Sequence, residues 1–497
     1  MDYLIRLKRR ELSLICHQTG HICILLGLLM LIPIIVAIIY NEARFIFPFL
    51  YSSGISILIG FSLYRISKGE VEFSLKSAMV FSAIIWLVVC ALGALPYYFS
   101  GQLNYLNAYF EAMSGFTTTG FSMFPNLDNV PYTIHFWRGF TQWIGGIGII
   151  VLALSFLSSS GSTIMRLYLA EGRGERILPS IKHTVKIILY IYLIYTLLGI
   201  ILFLIAGMPL FDSIFHTFTA LSTGGFVMYN TSMAHYHSVW IEIAAMIVMF
   251  LGATNFALHY TILGGRWREY FKDIEIKVAY SFLIFGTVVV AIFLHPPYGP
   301  ASLRYSIFQV VSALTTTGFQ TVSRAQILTQ WSGFGIFILT ILMIVGAGSC
   351  STGGGMKWLR LGLMAKGIYW EIRSFLLPER ARVPTMIHHV TDMVVDDKLL
   401  KLIGLFVFNY LLIYVVSVIV LLFYYPNIGG VLFEVASAIG NVGLTSGLMT
   451  PTSPTVAKLV FIFDFWVGRL EIWPVLLSVT IAMNMLRNLK KIIYWVA

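Results

Sequence analysis

Three long stretches of this chain carry no basic residue. No Lys or Arg falls between Lys76 and Arg138, between Lys186 and Arg266, or between Lys401 and Lys458. Apolar runs of about twenty residues recur along the chain, as in Ile22 to Tyr40, Ile187 to Ala206 and Leu402 to Phe423. A run of that length crosses the hydrocarbon core of a bilayer as a helix. Backbone in that core must satisfy its own hydrogen bonds, which a helix does within itself. Only 11% of the residues are charged and 58% are hydrophobic, whereas a soluble chain carries about a quarter charged. The chain reads as an all-α integral membrane protein.

The net charge is +11, and its distribution argues against a nucleic-acid partner. Most basic residues sit in six patches: Arg6 to Arg10, Arg65 to Lys76, Arg166 to Lys186, Arg266 to Lys277, Lys357 to Lys401 and Arg487 to Lys491. The positive-inside rule places these patches in the cytoplasm, where acidic membrane lipid attracts them. Cys16, Cys23, Cys90 and Cys350 share no metal-ligand spacing and read as reduced thiols. The apolar run behind the basic N-terminus is too long for a signal peptide and reads as a retained helix.

Each interval without basic residues begins and ends in the cytoplasm, so it holds two crossings. Between them lies a segment of about a dozen residues, too short to span. Four such segments align: FEAMSGFTTTGF (Phe110 to Phe121), FHTFTALSTGGF (Phe215 to Phe226), FQVVSALTTTGF (Phe308 to Phe319) and FEVASAIGNVGL (Phe433 to Leu444). All begin with Phe and carry Gly at the eleventh position, at Gly120, Gly225, Gly318 and Gly443. This is an internal repeat of helix, half-helix, polar turn, helix. The first helices are expected over Ala78 to Phe99, Ile187 to Ala206, Val278 to His295 and Leu402 to Tyr425. The returning helices are expected to begin near Phe136, Val239, Trp331 and Val456. With two crossings over 1–70, the expected organisation is ten transmembrane helices and four re-entrant pore loops. The pore repeats fall at 71–170, 171–277, 278–377 and 378–497, with pseudo-fourfold symmetry around a central pore. Non-helical backbone at that depth is tolerated where it lines water or is buried in protein.

The turns have the chemistry of a cation filter. Backbone carbonyls can replace an ion's water shell without a fixed charge that would trap it. Adjacent carbonyls point to one side when the backbone alternates between right- and left-handed conformations, and Gly takes the left-handed step at little cost. Each half-helix also aims its partly negative C-terminus at the cavity.

These segments resemble degenerate copies of the potassium-channel TVGYG filter. A single chain carrying four of them resembles the Trk/Ktr/HKT superfamily of potassium transporters. Two helices before the first repeat resemble the ten-helix bacterial Trk membrane subunit more than the eight-helix Ktr form. The resemblance implies that potassium, the transported ligand, is bound by backbone of Thr118, Thr119 and Gly120; Thr223, Gly224 and Gly225; Thr316, Thr317 and Gly318; and Asn441, Val442 and Gly443. In the family a Ser at the first filter Gly goes with sodium preference; all four positions here are Gly, which implies potassium. Gly224, Asn441 and Val442 depart from the Thr-rich pattern, so looser selectivity is expected.

The third returning helix runs into GAGSCSTGGGMK, Gly346 to Lys357, too rich in Gly and Ser to remain helical. The spacing of a phosphate-binding loop fails, because Gly354 stands where its Lys should be and no strand precedes it. A hinge without further role is the plain alternative. The resemblance implies an intramembrane gate beneath the filter, made of Gly346, Gly348, Ser349, Ser351, Thr352, Gly353, Gly354 and Gly355. It adds Arg469 of the GRLE stretch as a gate residue. An arginine at that depth needs water or a partner, and Asp464 or Glu471 could also pair with it. Other polar residues read as bland: His235 and His237 lack further metal ligands, and His388 and His389 lie in a cytoplasmic loop. Arg304 and Arg324 flank the third re-entrant loop on the outside, as plain surface charges or else as residues that tune ion entry, and Glu111 and Glu434 either anchor backbone or stay solvated.

The expected function is potassium uptake, driven by the membrane potential or coupled to another ion as a symport. A sodium-permeable or sodium-coupled protein of the same fold is the alternative. A membrane enzyme would need clustered acids, bases or metal ligands, which the filter segments lack, and no organic cofactor is expected. The resemblance further implies a homodimer, a peripheral cytoplasmic nucleotide-binding regulatory subunit, and residence in a bacterial inner membrane.

Overall fold

A computed structural model describes residues 7, 9–67, 72–148, 161–170, 180–322, 333–378 and 384–496. Two helices lead: α1 (Arg9–Leu29) continued by α2 (Ile32–Ile39), and α3 (Ile46–Ile66). The first repeat follows with α4 (Leu75–Gly93), α5 (Leu95–Phe99), the half-helix α6 (Tyr105–Phe116) and the returning α7 (Tyr132–Ile147); α8 (Gly161–Ala170) comes after it. The second repeat holds α9 (Ile181–Ile205), the half-helix α10 (Leu210–Leu221), then α11 (Val239–Ala253) and α12 (Phe256–Leu263), with α13 (Trp267–Lys272) beyond. The third holds α14 (Ile274–Tyr298), the half-helix α15 (Ser302–Leu314), α16 (Gly333–Val345) and α17 (Trp358–Leu376). A small antiparallel hairpin, β1 (Met386–His389) and β2 (Thr391–Val394), precedes the fourth repeat. That repeat holds α18 (Asp397–Leu422), the half-helix α19 (Ile428–Ile439), α20 (Thr455–Arg469) and α21 (Trp473–Val496).

The helices begin earlier than their apolar runs do, because polar caps start them. Ser74 caps α4 through the Ser77 amide and receives it in a reciprocal box. Asp396 accepts the Leu399 amide at the head of α18. The half-helices are 12, 12, 13 and 12 residues long. At 1.5 Å per residue they reach about 18 Å, short of the ~30 Å core. The outer helices present apolar stripes at helical spacing, such as Ile194, Leu197, Ile201 and Ile205 on α9, as a lipid-facing surface should.

Six helices among the described residues are long and apolar enough to cross a membrane, or seven if α11 and α12 count as one span bent by 105°. The shortfall against ten arises from the returning helices. Reading the sequence breaks only the third of these; the structure ends all four early. The terminators are Gly148 at φ 89°, the Thr254–Asn255 corner, Gly346 at φ 73°, and Glu471 and Ile472 at φ 56° and 71°. The Asn255 side chain accepts the Ala257 amide at 2.8 Å and so starts α12 afresh. The start expected near Trp331 and the outer Arg324 lie outside the described residues.

The chain divides into two compact units. One comprises residues 1–116, 131–189 and 470–497. Its interior pairs α1 with α3, α4 with α21, and α6 with α7. The other comprises residues 117–130 and 190–469. It holds the four polar turns, the Gly346–Gly355 loop and Arg469.

Candidate functional site

Each half-helix ends in the same backbone sequence. The ninth residue of every repeat segment is left-handed: Thr118 at φ 56°, Thr223 at 51°, Thr316 at 56° and Asn441 at 52°. The eleventh is left-handed again: Gly120 at 93°, Gly225 at 74°, Gly318 at 89° and Gly443 at 89°. The alternation expected of a carbonyl-lined strand is therefore present in all four. The non-glycine member was not foreseen, since a β-branched residue in this region is uncommon and strained. Local bonds stabilise it: the Thr118 and Thr223 hydroxyls each donate to the preceding carbonyl at 2.7 Å.

The four turns close into a ring, and the glycines mark the joints. A Cβ on Gly120 would collide with the Gly224 carbonyl, one on Gly225 with the Thr317 carbonyl, one on Gly318 with the Val442 carbonyl, and one on Gly443 with the Thr119 carbonyl. Each eleventh-position glycine thus abuts the tenth-position carbonyl of the next repeat, in the order one, two, three, four, one. All twelve residues expected from the sequence take part in this ring or flank it; eleven are buried and Gly120 is half-buried. Bracing differs between strands. Thr117 and Thr119 share a hydroxyl bond of 2.7 Å, and Thr315 and Thr317 one of 2.8 Å. The fourth strand has Gly440 and Val442 at these positions, and Asn441 takes over. Its Nδ2 donates to Thr119 Oγ1 at 2.9 Å and to the Phe465 carbonyl at 3.0 Å.

The Gly346–Gly355 loop packs against the inner ends of the turns. The Gly354 amide donates to Thr316 Oγ1 at 2.9 Å, and a Cβ on Gly354 would strike the Gly440 carbonyl. Thr352 Oγ1 lies 3.0 Å from the Leu221 carbonyl, 2.9 Å from that of Gly252 and 3.2 Å from Thr223 Oγ1. Gly348 and Thr352 donate their amides to Ala253 and Gly252 at 2.9 and 3.1 Å, and Ser351 Oγ donates to the Gly348 carbonyl at 2.6 Å. Gly346 and Gly355, both left-handed, meet at the neck of the loop.

Two cations hold successive carbonyls of this loop. Arg469 Nη1 donates to the Thr352 carbonyl at 3.1 Å, and Lys357 Nζ donates to that of Gly353. Arg469 closes α20, whereas Asp464 turns to Ser417 Oγ at 2.7 Å. Lys357 was read as the start of a cytoplasmic basic patch; its side chain is instead buried. Its spacing of four from Gly353 was the available signal.

Sequence reasoning also missed an acidic anchor. Glu275 Oε1 accepts the Ser349 amide at 2.7 Å, and Glu275 Oε2 accepts Asn255 Nδ2 at 3.3 Å. Two residues earlier, Asp273 accepts the Val390 amide at 2.8 Å and lies 3.1 Å from His389 Nδ1. Asp273, Glu275 and His389 are close enough to hold a metal ion, but both carboxylates are already engaged by backbone amides. The cluster ties the β1–β2 hairpin to the Gly346–Gly355 loop. His389, read as a loop residue, is part of it; His235 stacks on Tyr229 with centroids 3.6 Å apart.

Arg304, read as a surface charge, forms a two-pronged bond with Glu242 at 2.8 and 2.7 Å. That carboxylate raises the arginine further above its ordinary pKa.

The profile of a family described as a cation transport protein, TrkH, matches residues 49–491. An uncharacterized cation transporter of Methanocaldococcus jannaschii is 35% identical over 98% of this chain and 100% of its own. The Trk system potassium uptake protein TrkH of Escherichia coli strain K12 is 30% identical over 94% of this chain and 98% of its own. The crystal structure of the potassium transporter TrkH from Vibrio parahaemolyticus superposes with a TM-score of 0.83 at 27% identity, covering 94% of this chain and 98% of that one. The fold is that of an all-helical multi-span membrane protein, its one hairpin aside, and the family is one of transporters and not of enzymes. With bonded turns, a loop packed beneath them and a match over almost its whole length, the chain belongs to the TrkH family of cation transport proteins.

Proposed function

We propose that the protein conducts potassium into the cell through the ring of four turns, and that the Gly346–Gly355 loop with Arg469 and Lys357 is its gate. The observation that carries this reading is the cyclic contact of Gly120, Gly225, Gly318 and Gly443 with the carbonyl-bearing residue of the next strand. Such a constriction strips water from a monovalent cation and offers backbone oxygen in exchange. Potassium is favoured over sodium by the four glycines and by the potassium-uptake names of relatives at 30% identity. The membrane potential, worth about 2.3 kcal/mol per charge at 100 mV, suffices to drive uptake without a coupled ion. A homodimer, a peripheral nucleotide-binding subunit on the basic cytoplasmic segments, and residence in the cytoplasmic membrane complete the proposal, on the family resemblance. Relatives come from both archaea and bacteria, so the membrane is not assigned to bacteria.

The test is flux into liposomes holding the purified full-length chain. Rubidium uptake well above sodium uptake is the expected result. Equal fluxes would favour the sodium-permeable reading, and no flux with or without a cytoplasmic partner would overturn both.

A further inference from the structure

The second residue of each repeat segment lies within its half-helix and is polar and buried: Glu111, His216, Gln309 and Glu434. Glu434 differs from the rest in what it holds. Its Oε1 accepts five hydrogen bonds, from Thr445 Oγ1 at 2.7 Å, Ser446 N at 2.7 Å, Ser446 Oγ at 2.8 Å, Gly447 N at 3.0 Å and Leu448 N at 3.3 Å. Three successive backbone amides thus converge on one carboxylate oxygen, as in an anion-binding nest. These donors are the residues that leave the fourth filter strand. The same segment is tied to the third strand, where Gln320 Nε2 donates to the Thr445 carbonyl at 3.3 Å.

The fourth strand is also the one without hydroxyl bracing. Strands one and three are stiffened by Thr117–Thr119 and Thr315–Thr317, and Thr223 of the second strand meets Thr352. Gly440 and Val442 offer no such group, so Asn441 secures the inner end alone. The outer end is left to Glu434.

We infer that Glu434 is a selectivity-positioning residue: its carboxylate fixes the outer end of the fourth filter strand through residues 445–448, replacing the threonine braces that this strand lacks. This inference rests on the proposed filter. A loosened fourth strand lets the Val442 and Gly443 carbonyls move, and a ring whose carbonyls yield tolerates the smaller sodium ion. The charge matters as well as the shape, because hydrogen bonds to an ionised acceptor are about twice as strong as neutral ones. An amide oxygen can sit where Oε1 sits and keep the geometry with weaker bonds.

The experiment measures rubidium and sodium uptake side by side in liposomes for wild type, Glu434→Gln, Glu434→Ala and Gln309→Met. Neither amide atom of Gln309 has a partner among the described residues, so that substitution at the same repeat position is the control. The rubidium-to-sodium ratio is expected to fall a few-fold in Glu434→Gln and about tenfold or more in Glu434→Ala, and to stay at the wild-type value in Gln309→Met. If Glu434→Ala elutes as aggregate, Glu434→Gln carries the test. A wild-type ratio in a monodisperse Glu434→Gln or Glu434→Ala would overturn the inference, as would an equal drop in Gln309→Met. Wild type that discriminates between the ions while these variants match it sinks only this inference. Wild type that does not discriminate sinks the filter reading itself.

Discussion

Arg469 Nη1 donates to the carbonyl of Thr352 across 3.1 Å, joining the end of α20 to the middle of the Gly346–Gly355 loop. The same threonine is fastened on its other side by its hydroxyl to Leu221 and Gly252. The arginine therefore holds a loop that already lies against the turns. A bond from a charged donor contributes about 1.5–3 kcal/mol, and ~1.4 kcal/mol is a factor of ten in an equilibrium. Arg469→Ala is expected to raise resting rubidium flux by about tenfold or more. Arg469→Lys should fall between, since a lysine keeps the charge but not the planar fork. Unaltered flux and open probability in Arg469→Ala would remove the arginine from the gate.

The ring makes a sharper demand on Gly225. Its φ of 74° costs an alanine about 1–2 kcal/mol, and the added Cβ would meet the Thr317 carbonyl. Gly225→Ala should lose rubidium-over-sodium discrimination, or conduct nothing, while still eluting as a folded protein. Gly101 separates strain from contact. It has a φ of 70° with nothing within 4 Å of a Cβ, so Gly101→Ala bears the same strain and should transport normally. Equal damage from both substitutions would mean that strain alone, and not the joint, explains the effect.

The contrast between these glycines shows what was legible in the sequence. The register of the repeat came from Phe at position one and Gly at position eleven, because burial and the left-handed step restrict those two positions to few residue types. The left-handed Thr118, Thr223 and Thr316 were not legible, since threonine is ordinarily compatible with an extended strand and only tertiary contacts force it to φ near 55°. The early ends of α7, α11 and α20 were hidden for a related reason. Gly145, Gly252 and Gly468 lie in those last turns, where a Cβ would strike the carbonyls of Phe116, Leu221 and Ile439. In a single sequence such glycines read as ordinary close-packing residues in membrane helices. Contacts made across the sequence, such as Glu275 with Ser349, leave no periodic trace at all.

Glu275, two residues after the Asp273 that holds the β1–β2 hairpin, reaches the loop through the Ser349 amide at 2.7 Å. Removing its carboxylate leaves that donor without its acceptor, at a cost of about 1–3 kcal/mol. Glu275→Ala should speed amide exchange at Ser349 and raise resting flux several-fold. His389 meets Asp273, two residues before Glu275, and gives no bond to the Ser349 amide that Glu275 holds, so His389→Ala should have the smaller effect. Exchange in Glu275→Ala at the wild-type rate would show that the neighbouring bonds of the loop suffice without it.

Glu111 occupies the second position of the first repeat segment, as Glu434 does in the fourth, but it meets a charge instead of a nest of amides. Arg138 Nε lies 2.8 Å from Glu111 Oε1, and both side chains are fully buried. The pair fastens α6 to its own returning helix α7. Breaking a buried pair from one side strands the other charge and costs about 3–5 kcal/mol, whereas replacing both with apolar groups of similar size can be nearly neutral. Glu111→Leu and Arg138→Met should therefore each lower the thermal unfolding midpoint in detergent markedly. The double substitution should recover most of the loss, with a coupling energy of a few kcal/mol in the mutant cycle. The pair acts on the joint between α6 and α7, so the ion ratio of the double variant should equal that of wild type. Additive losses would mean that the two side chains act on stability separately, despite the short bond between them.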